Sequence, residues 1–367
     1  MTLSLLTLVL KVGCLMGVTP ASPTTKPITW QSKLYNIFIF TLLTTGVVLS
    51  LMKKGLYNEF FLPKIVVCYF CDICIYGLNF YCILVVHIRK PETWTHLIEG
   101  LRSTDDLTDP VLNPKDKRSS KCTFLFLNLL HLATSGYVLC EFGSAYETYF
   151  ERHTVLHYQI YLEFYQKFLT CVVLNMLKSR YKSIKHLLLN NMKAMTRRRE
   201  FPLSLIKTVE YKMHELRHVV DLYNDIFGWS TFFIIAFTVF EVLNYADYAI
   251  FHSFRMAFWT NVVSNIILWS WTLIGTLVLI WMHDSVLTEA ARVVALSHEL
   301  RWSCENANNL EELKLEEFAN ALIRDLPKFT AASFFQVNKS SILSLLWIVT
   351  NFLIVMFQFG LANNLLM

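Results

Sequence analysis

Ser340–Gly360 reads SSILSLLWIVTNFLIVMFQFG, an apolar run long enough to cross a bilayer with its serines and amides along one edge. Ser341, Ser344, Ile348, Asn351, Val355, Gln358 and Ala362 follow one another at steps of three and four residues, the spacing of a single stripe down a helix. Ser344, Asn351 and Gln358 recur every seven residues, while the other faces carry Leu, Ile, Val, Phe and Trp. An amide without a partner is costly in hydrocarbon, so this stripe must meet other helices or water. Two readings stay open from periodicity alone: helix packing glued by small and polar residues, or the wall of an aqueous path shared by several copies of the chain.

The rest of the chain resembles this run more than it resembles a soluble protein. Of its 367 residues, 54% are hydrophobic and 17% charged, against roughly a quarter charged in an average soluble domain. Further apolar stretches of near-spanning length lie at Leu34–Leu51, Ile65–Val86, Phe124–Cys140, Phe227–Leu243 and Val262–Trp281, with the last at Ser341–Phe359. A weaker one, Ile160–Leu177, holds Glu163 and Lys167 four residues apart, the favourable order for an ion pair along one helix face. Such a pair must face protein or a wet cavity rather than lipid. The expected fold is an all-α polytopic membrane protein of seven transmembrane helices.

The basic residues orient it. Residues 1–33, 87–123, 178–226 and 282–340 hold 27 Lys and Arg, and the opposite connections hold 5. Positive charge stays in the cytoplasm, so the N-terminus is expected inside and the C-terminus outside. That topology is inverted relative to a G-protein-coupled receptor. The stretches LIKTVEYKMHELRHVVDLY and VLTEAARVVALSHELRW keep a 3.6-residue apolar rhythm, predicting helices that continue into the cytoplasm, with breaks at Pro202 and Pro327. The hydrophobic N-terminus imitates a signal peptide but lacks a basic start and a small-residue cleavage site, and is expected to be retained.

Several motifs weigh against a catalytic reading. His214-Glu215-Leu216-Arg217-His218 is a literal H-E-x-x-H, but a charged residue inside it and the absence of a third-ligand motif argue against a zinc protease. Cys68, Cys71 and Cys74 have metal-like spacing within an apolar helix without a nearby His, where cysteine acts as a small hydrophobe. Gly-rich phosphate loops and a G-x-S-x-G elbow are missing from the sequence, so no catalytic residue, metal or cofactor is expected. The run Lys193…Arg197-Arg198-Arg199 beside a span reads as a topology signal or a lipid contact rather than a nucleic-acid site.

Asn351-Phe352-Leu-Ile-Val-Met-Phe-Gln358-Phe359 resembles the signature that closes insect gustatory receptors: Thr-Tyr, five hydrophobic residues, then Gln-Phe. Just upstream, Phe329-Thr-Ala-Ala332-Ser333-Phe-Phe335 is similar to that family's Phe-Thr-Ala-Cys-Gly-Phe-Phe. The Gln-Phe end is intact, whereas Asn351, Phe352, Ala332 and Ser333 depart from the pattern. Leu353 stands where sugar-sensing members carry an acid, which argues for a non-sugar tastant such as a bitter compound. The resemblance implies a tetrameric, ligand-gated, non-selective cation channel of the plasma membrane of chemosensory neurons, built alone or with other gustatory receptors. It implies a cytoplasmic N-terminal segment (1–33), helices 1–6 with an outward-open ligand pocket (34–281), a cytoplasmic helical anchor (282–340), and a pore helix with a short extracellular tail (341–367). Gln358 and Phe359 would form the gate, Val355 and Asn351 would line the path below, and Ser344 and Ile348 would continue the pore-facing seam.

Candidates for the pocket are the charged residues Asp72, Glu163 and Lys167, because charge inside a membrane is expensive. Aromatic residues toward the outer ends of the spans join them, Tyr76, Tyr81, Tyr137, Tyr146, Tyr158, Trp269 and Trp271, although Tyr and Trp also belt membrane interfaces for structural reasons alone. Two alternatives are a seven-span receptor that signals through a cytoplasmic partner without conducting, and a membrane enzyme built on the zinc motif.

Overall fold

Glu163, Gln166 and Lys167 mark the helix around which the others gather. The computed structural model of the chain describes residues 3–20, 30–53, 62–104, 114–145, 149–198, 203–251, 258–303 and 309–364. In chain order the elements are α1 (Leu3–Leu15), α2 (Trp30–Lys53) and α3 (Leu62–Phe80), which runs through a π turn (Tyr81–Val85) into α4 (Val86–Arg89). Next come α5 (Pro91–Ser103), α6 (Pro114–Ala145), α7 (Tyr149–Arg198), α8 (Leu203–Phe251), α9 (Phe258–Ser303) and α10 (Asn309–Arg324). A two-stranded hairpin, β1 (Thr330–Ala331) and β2 (Phe335–Gln336), leads into α11 (Lys339–Asn364).

α7 touches α1, α2, α3, α6, α8 and α9. Leu162, Tyr165, Leu169, Val172, Val173 and Leu177 are buried on it, and so are Glu163, Gln166, Lys167 and Thr170. A helix buried on all sides has no lipid-facing surface to make hydrophobic. That explains why Ile160–Leu177 is the weakest apolar stretch and yet the centre of the bundle. The peripheral helices show the converse: Phe126 and Leu129 of α6 are 62% and 66% exposed, side chains suited to hydrocarbon rather than water.

Among the described residues, five helical stretches are long and apolar enough to cross a membrane: Trp30–Met52, Lys64–Arg89, Lys121–Glu141, Leu203–Tyr245 and Ile266–Arg301. The chain is an all-α polytopic membrane protein. α7, α8 and α9 have 50, 49 and 46 residues, roughly 70 Å each against about 30 Å of hydrocarbon, so they run well past it. The 3.6-residue apolar rhythm of LIKTVEYKMHELRHVVDLY and VLTEAARVVALSHELRW thus corresponds to uninterrupted helix. Pro327 follows α10 as a break, whereas Pro202 lies outside the described residues.

The N-terminal segment holds more than a tail. Leu5, Leu6, Val9 and Leu10 of α1 are buried against α6 and α7. Tyr165 donates its hydroxyl to the Val9 carbonyl, and Thr19 Oγ1 donates to Leu10 O at 2.9 Å. α5 lays Trp94, Leu97, Ile98 and Leu101 against α8, a three-four spacing that makes one apolar face. The buried Arg180 of α7 closes its C-terminal end, donating to Leu101 O and, at 2.5 Å, to Thr104 Oγ1.

The hairpin turn holds Ala332 at φ +49° and Ser333 at φ +63°. The left-handed region costs a side-chain-bearing residue roughly 1–2 kcal/mol. Ser333→Gly is therefore expected to stabilise the protein by about 1 kcal/mol net of the flexibility glycine adds to the unfolded chain. A melting temperature that falls would contradict this account of the turn.

Candidate functional site

The centre of the bundle is polar and closely held. Lys167 Nζ pairs with Glu163 one turn earlier and donates to the Thr272 carbonyl of α9 at 2.9 Å. Gly275, one turn beyond Thr272, leaves room for the lysine: a Cβ there would lie 3.1 Å from Lys167 Cδ. Gln166 Nε2 donates to Ser230 Oγ of α8 at 3.4 Å. From α6, the His131 ring stacks on Phe164 with centroids 4.4 Å apart and meets the edge of Trp271 at 5.3 Å. Trp271 Nε1 donates to Thr134 Oγ1 at 3.1 Å.

Around this pair, buried polar atoms stand without protein partners. They are both ring nitrogens of His131, Ser135 Oγ and Gln166 Oε1; on α9, Trp269 Nε1 is likewise buried without a protein partner. Buried donors and acceptors are nearly always satisfied in native proteins, by protein, water or ligand. A lining of aromatic rings with a few convergent polar atoms is what a small-molecule pocket requires. His131, one turn from Ser135, was the legible but overlooked signal: an ionisable residue inside LNLLHLAT is expensive in a span.

The remaining pocket candidates scatter. Asp72 lines a small cavity between α2, α3 and α7 together with Ser50 and Gln159. Tyr76 is half-buried beside it, its hydroxyl 3.1 Å from Thr44 Oγ1 and its ring 5.8 Å from Phe40. Tyr137 is 46% exposed on the outside of α6 and joins neither group. Tyr81 is set apart as well, about 13 Å farther along the helix than Asp72. Its hydroxyl is shared between the carbonyls of Asp225 and Ile226 on α8 at 3.0 and 2.9 Å. Tyr81 thus serves helix packing rather than the outer aromatic group.

α11 packs on α8 and α9 by a narrow strip. Leu345, Val349, Phe352 and Leu353 lie against the core. Ser344, Ile348, Asn351, Val355 and Gln358 are all exposed on the single chain. Asn351 Nδ2 spends a hydrogen bond on its own helix, at Trp347 O (2.8 Å), and Ser344 Oγ does so weakly at Ser340 O (3.4 Å). Ser341 leaves the stripe, buried with its hydroxyl donating to Gln336 O at 3.0 Å. Phe359 is on the same helix, and its side chain lies outside the described residues.

The strap before α11 is tied to the bundle by backbone atoms. Asn224 Nδ2 donates to Lys328 O at 2.6 Å, and Asn224 Oδ1 accepts from Thr330 N at 3.1 Å. Ala332 N donates to Gly228 O at 3.0 Å, and Lys339 N donates to Asp284 Oδ1 at 3.2 Å. Beneath the strap, Phe329 packs edge-on against Tyr223 and His283. His283 Nδ1 is 2.8 Å from Leu279 O and must donate there, so Nε2 accepts from the Tyr223 hydroxyl at 2.8 Å.

The H-E-x-x-H residues serve this same region. Arg217 Nη1 donates to Asp325 Oδ1 at 3.0 Å and to Arg324 O at 2.8 Å, His214 Nδ1 lies 3.6 Å from Asp325 Oδ2, and Glu215 accepts from Ser103 Oγ at 2.7 Å. The motif latches α8 to the end of α10 and to α5. Among the described residues no three His, Cys, Asp or Glu side chains gather as a metal site.

Residues 6–363 match the sequence profile of a family described as 7tm chemosensory receptor. The structure is similar to that of the insect olfactory receptor OR5 from Machilis hrabei, with a TM-score of 0.68 and 13% identity over 96% of each chain. It is also similar to the same receptor in complex with eugenol, with a TM-score of 0.70 and 12% identity over 97% of this chain and 98% of that one. No curated protein matches the sequence.

Proposed function

The chain belongs to the 7tm chemosensory receptor family, and on that premise we propose that it is a gustatory receptor whose copies surround one cation path opened by a small tastant. As a member of a receptor family it is not an enzyme. In this reading seven spans cross the plasma membrane of a chemosensory neuron, with the N-terminus in the cytoplasm and the C-terminus outside. α7 supplies the span that hydropathy undervalues, and α11 supplies the last.

The observation that carries the proposal is the exposed edge of α11. Ser344, Ile348, Asn351, Val355 and Gln358 are open on a single chain while the opposite strip is packed. Serines and amides do not belong against lipid tails, and four copies would turn that edge toward a common axis. Gln358 and Phe359 then form the narrow gate, with Val355 and Asn351 below it. A hydrophobic ring closes such a path by dewetting, and rotating it away presents the Gln358 amide to ions. The ligand site is the set of unpartnered polar atoms around His131, Glu163, Lys167 and Trp269, while Asp72 and Tyr76 stand at a separate small cavity between α2, α3 and α7. A similar fold in complex with eugenol supports a small organic ligand, and Leu353 in place of an acid supports a non-sugar one. The anchor at 282–340 would join subunits, homomeric or mixed with other gustatory receptors, and the basic cytoplasmic segments would contact anionic lipid.

Whole-cell recording without added G protein tests conduction. Gln358→Ala is expected to keep the protein at the surface and shift relative cation permeability about fivefold, the equivalent of roughly 1 kcal/mol for one lost amide contact. Unchanged ligand-evoked current and selectivity would overturn the assignment of this edge to the pore.

A further inference from the structure

Two apolar stretches, Ile160–Leu177 of α7 and Val262–Trp281 of α9, run out side by side. Where they end, the Lys178 ammonium stands over the Trp281 ring, 5.3 Å from its centroid. Ile274, Val278 and Trp281 form one stripe on α9 and are 58%, 44% and 59% exposed. The first two suit hydrocarbon, so the ring that closes their stripe stands at the membrane boundary. Its face attracts Lys178 without accepting all three of the ammonium N–H groups. Lys182 is exposed one turn on, about 6 Å farther along α7. Among the described residues neither lysine has an ion-pair partner. The nearby acids are engaged elsewhere: Glu289 accepts from Lys185 and Arg292 at 2.7 and 2.5 Å, and Asp284 from the Lys339 amide.

We propose that Lys178, Lys182 and Trp281 bind the headgroup of one phosphoinositide lipid. Its phosphodiester lies at the glycerol level, where Trp281 stands, and accepts from Lys178. Its inositol ring carries a second phosphate one sugar ring farther out, where Lys182 waits one turn along the helix. A phosphomonoester brings nearly two negative charges to that lysine. Phosphatidylserine is a poorer match, because its carboxylate is neutralised by its own ammonium and leaves Lys182 little to bind. The acyl chains lie along the Ile274–Val278 stripe, which a soluble phosphate or an acidic peptide would leave bare. Assignment of the site to the inner leaflet rests on the orientation proposed above; the contacts themselves do not.

The test uses the full-length protein in mild detergent, with bound lipid counted by native mass spectrometry. The probes are dioctanoyl phosphatidylinositol 4-phosphate, the matching phosphatidylserine and phosphatidylcholine, and free inositol 1,4-bisphosphate. The phosphoinositide is expected to bind saturably and at least about tenfold more tightly than each of the others, as one extra charged contact predicts. Lys182→Gln should abolish its advantage over phosphatidylserine. Lys178→Gln should weaken both anionic lipids about tenfold, and Trp281→Leu should weaken both about fivefold without changing their order. Equal binding of phosphatidylserine, equal binding of the free headgroup, or a preference untouched by Lys182→Gln overturns the proposal. If Lys178→Gln does not fold, the exposed Lys182 decides alone. Because the readout is mass rather than current, a protein that holds the phosphoinositide without conducting refutes the channel and leaves the lipid site standing.

Discussion

Lys167→Ala should cost the protein about 3–5 kcal/mol, while Glu163→Gln combined with Lys167→Met should restore most of it. The two side chains are 2% and 4% exposed and sit one turn apart on α7, with Lys167 also bound to the Thr272 carbonyl. Removing the lysine leaves a carboxylate among rings and methyl groups with nothing to neutralise it. Replacing both removes two desolvation costs together with their mutual attraction, so the double variant suffers less than either deletion. Gly275 sharpens the case: a Cβ there would crowd the lysine stem, so this part of α9 is shaped around the ion pair. The measurement is thermal unfolding of the purified single and double variants. A lysine deletion as benign as the double replacement would mean that Glu163 is solvated or already neutral, and that the centre is wetter than its burial implies.

The ion pair also shows what a sequence can and cannot disclose. Its residues and spacing were legible, because carboxylate and ammonium one turn apart in an apolar run have few stable arrangements. Its central place was not, since hydropathy measures resemblance to lipid and α7 is shielded from lipid by its neighbours. The edge of α11 was legible for the same periodic reason: from Ser344 to Gln358 the polar side falls where the structure leaves it open. Ser341 departs because it caps the hairpin instead. Tyr81 was misread because an aromatic residue near a span end has two meanings, and only its partners on α8 separate them. His131 carried a signal, a titratable ring inside a span, but its stacking partners come from remote helices. The strap contacts carried almost none. On the strap's side they run through backbone N–H and C=O groups, which every residue has, and only Asn224, Gly228 and Asp284 on the bundle's side bear a trace of them.

That backbone strap is where the second large effect is expected. Asn224→Ala removes both bonds that hold Lys328 and Thr330. At about 1 kcal/mol each, the loss is roughly 2 kcal/mol, or about a thirtyfold change in the concentration of ligand that half-activates the receptor, provided one gating state makes them and the other does not. Gly228→Val should act in the same place by another route. A Cβ at Gly228 would already stand 3.3 Å from Ala332 N and from Thr330 O, and a branched side chain forces the strap off α8. Both variants leave the His131 and Asp72 regions intact, so ligand binding should persist while the response shifts. Asp284→Ala is the weaker companion, since it frees only the amide of Lys339 at the start of α11. Dose–response curves that coincide with the unaltered protein for both Asn224→Ala and Gly228→Val would show that motion reaches α11 by its side-chain strip at Leu345, Val349 and Phe352. In that case the strap would be a tether and nothing more.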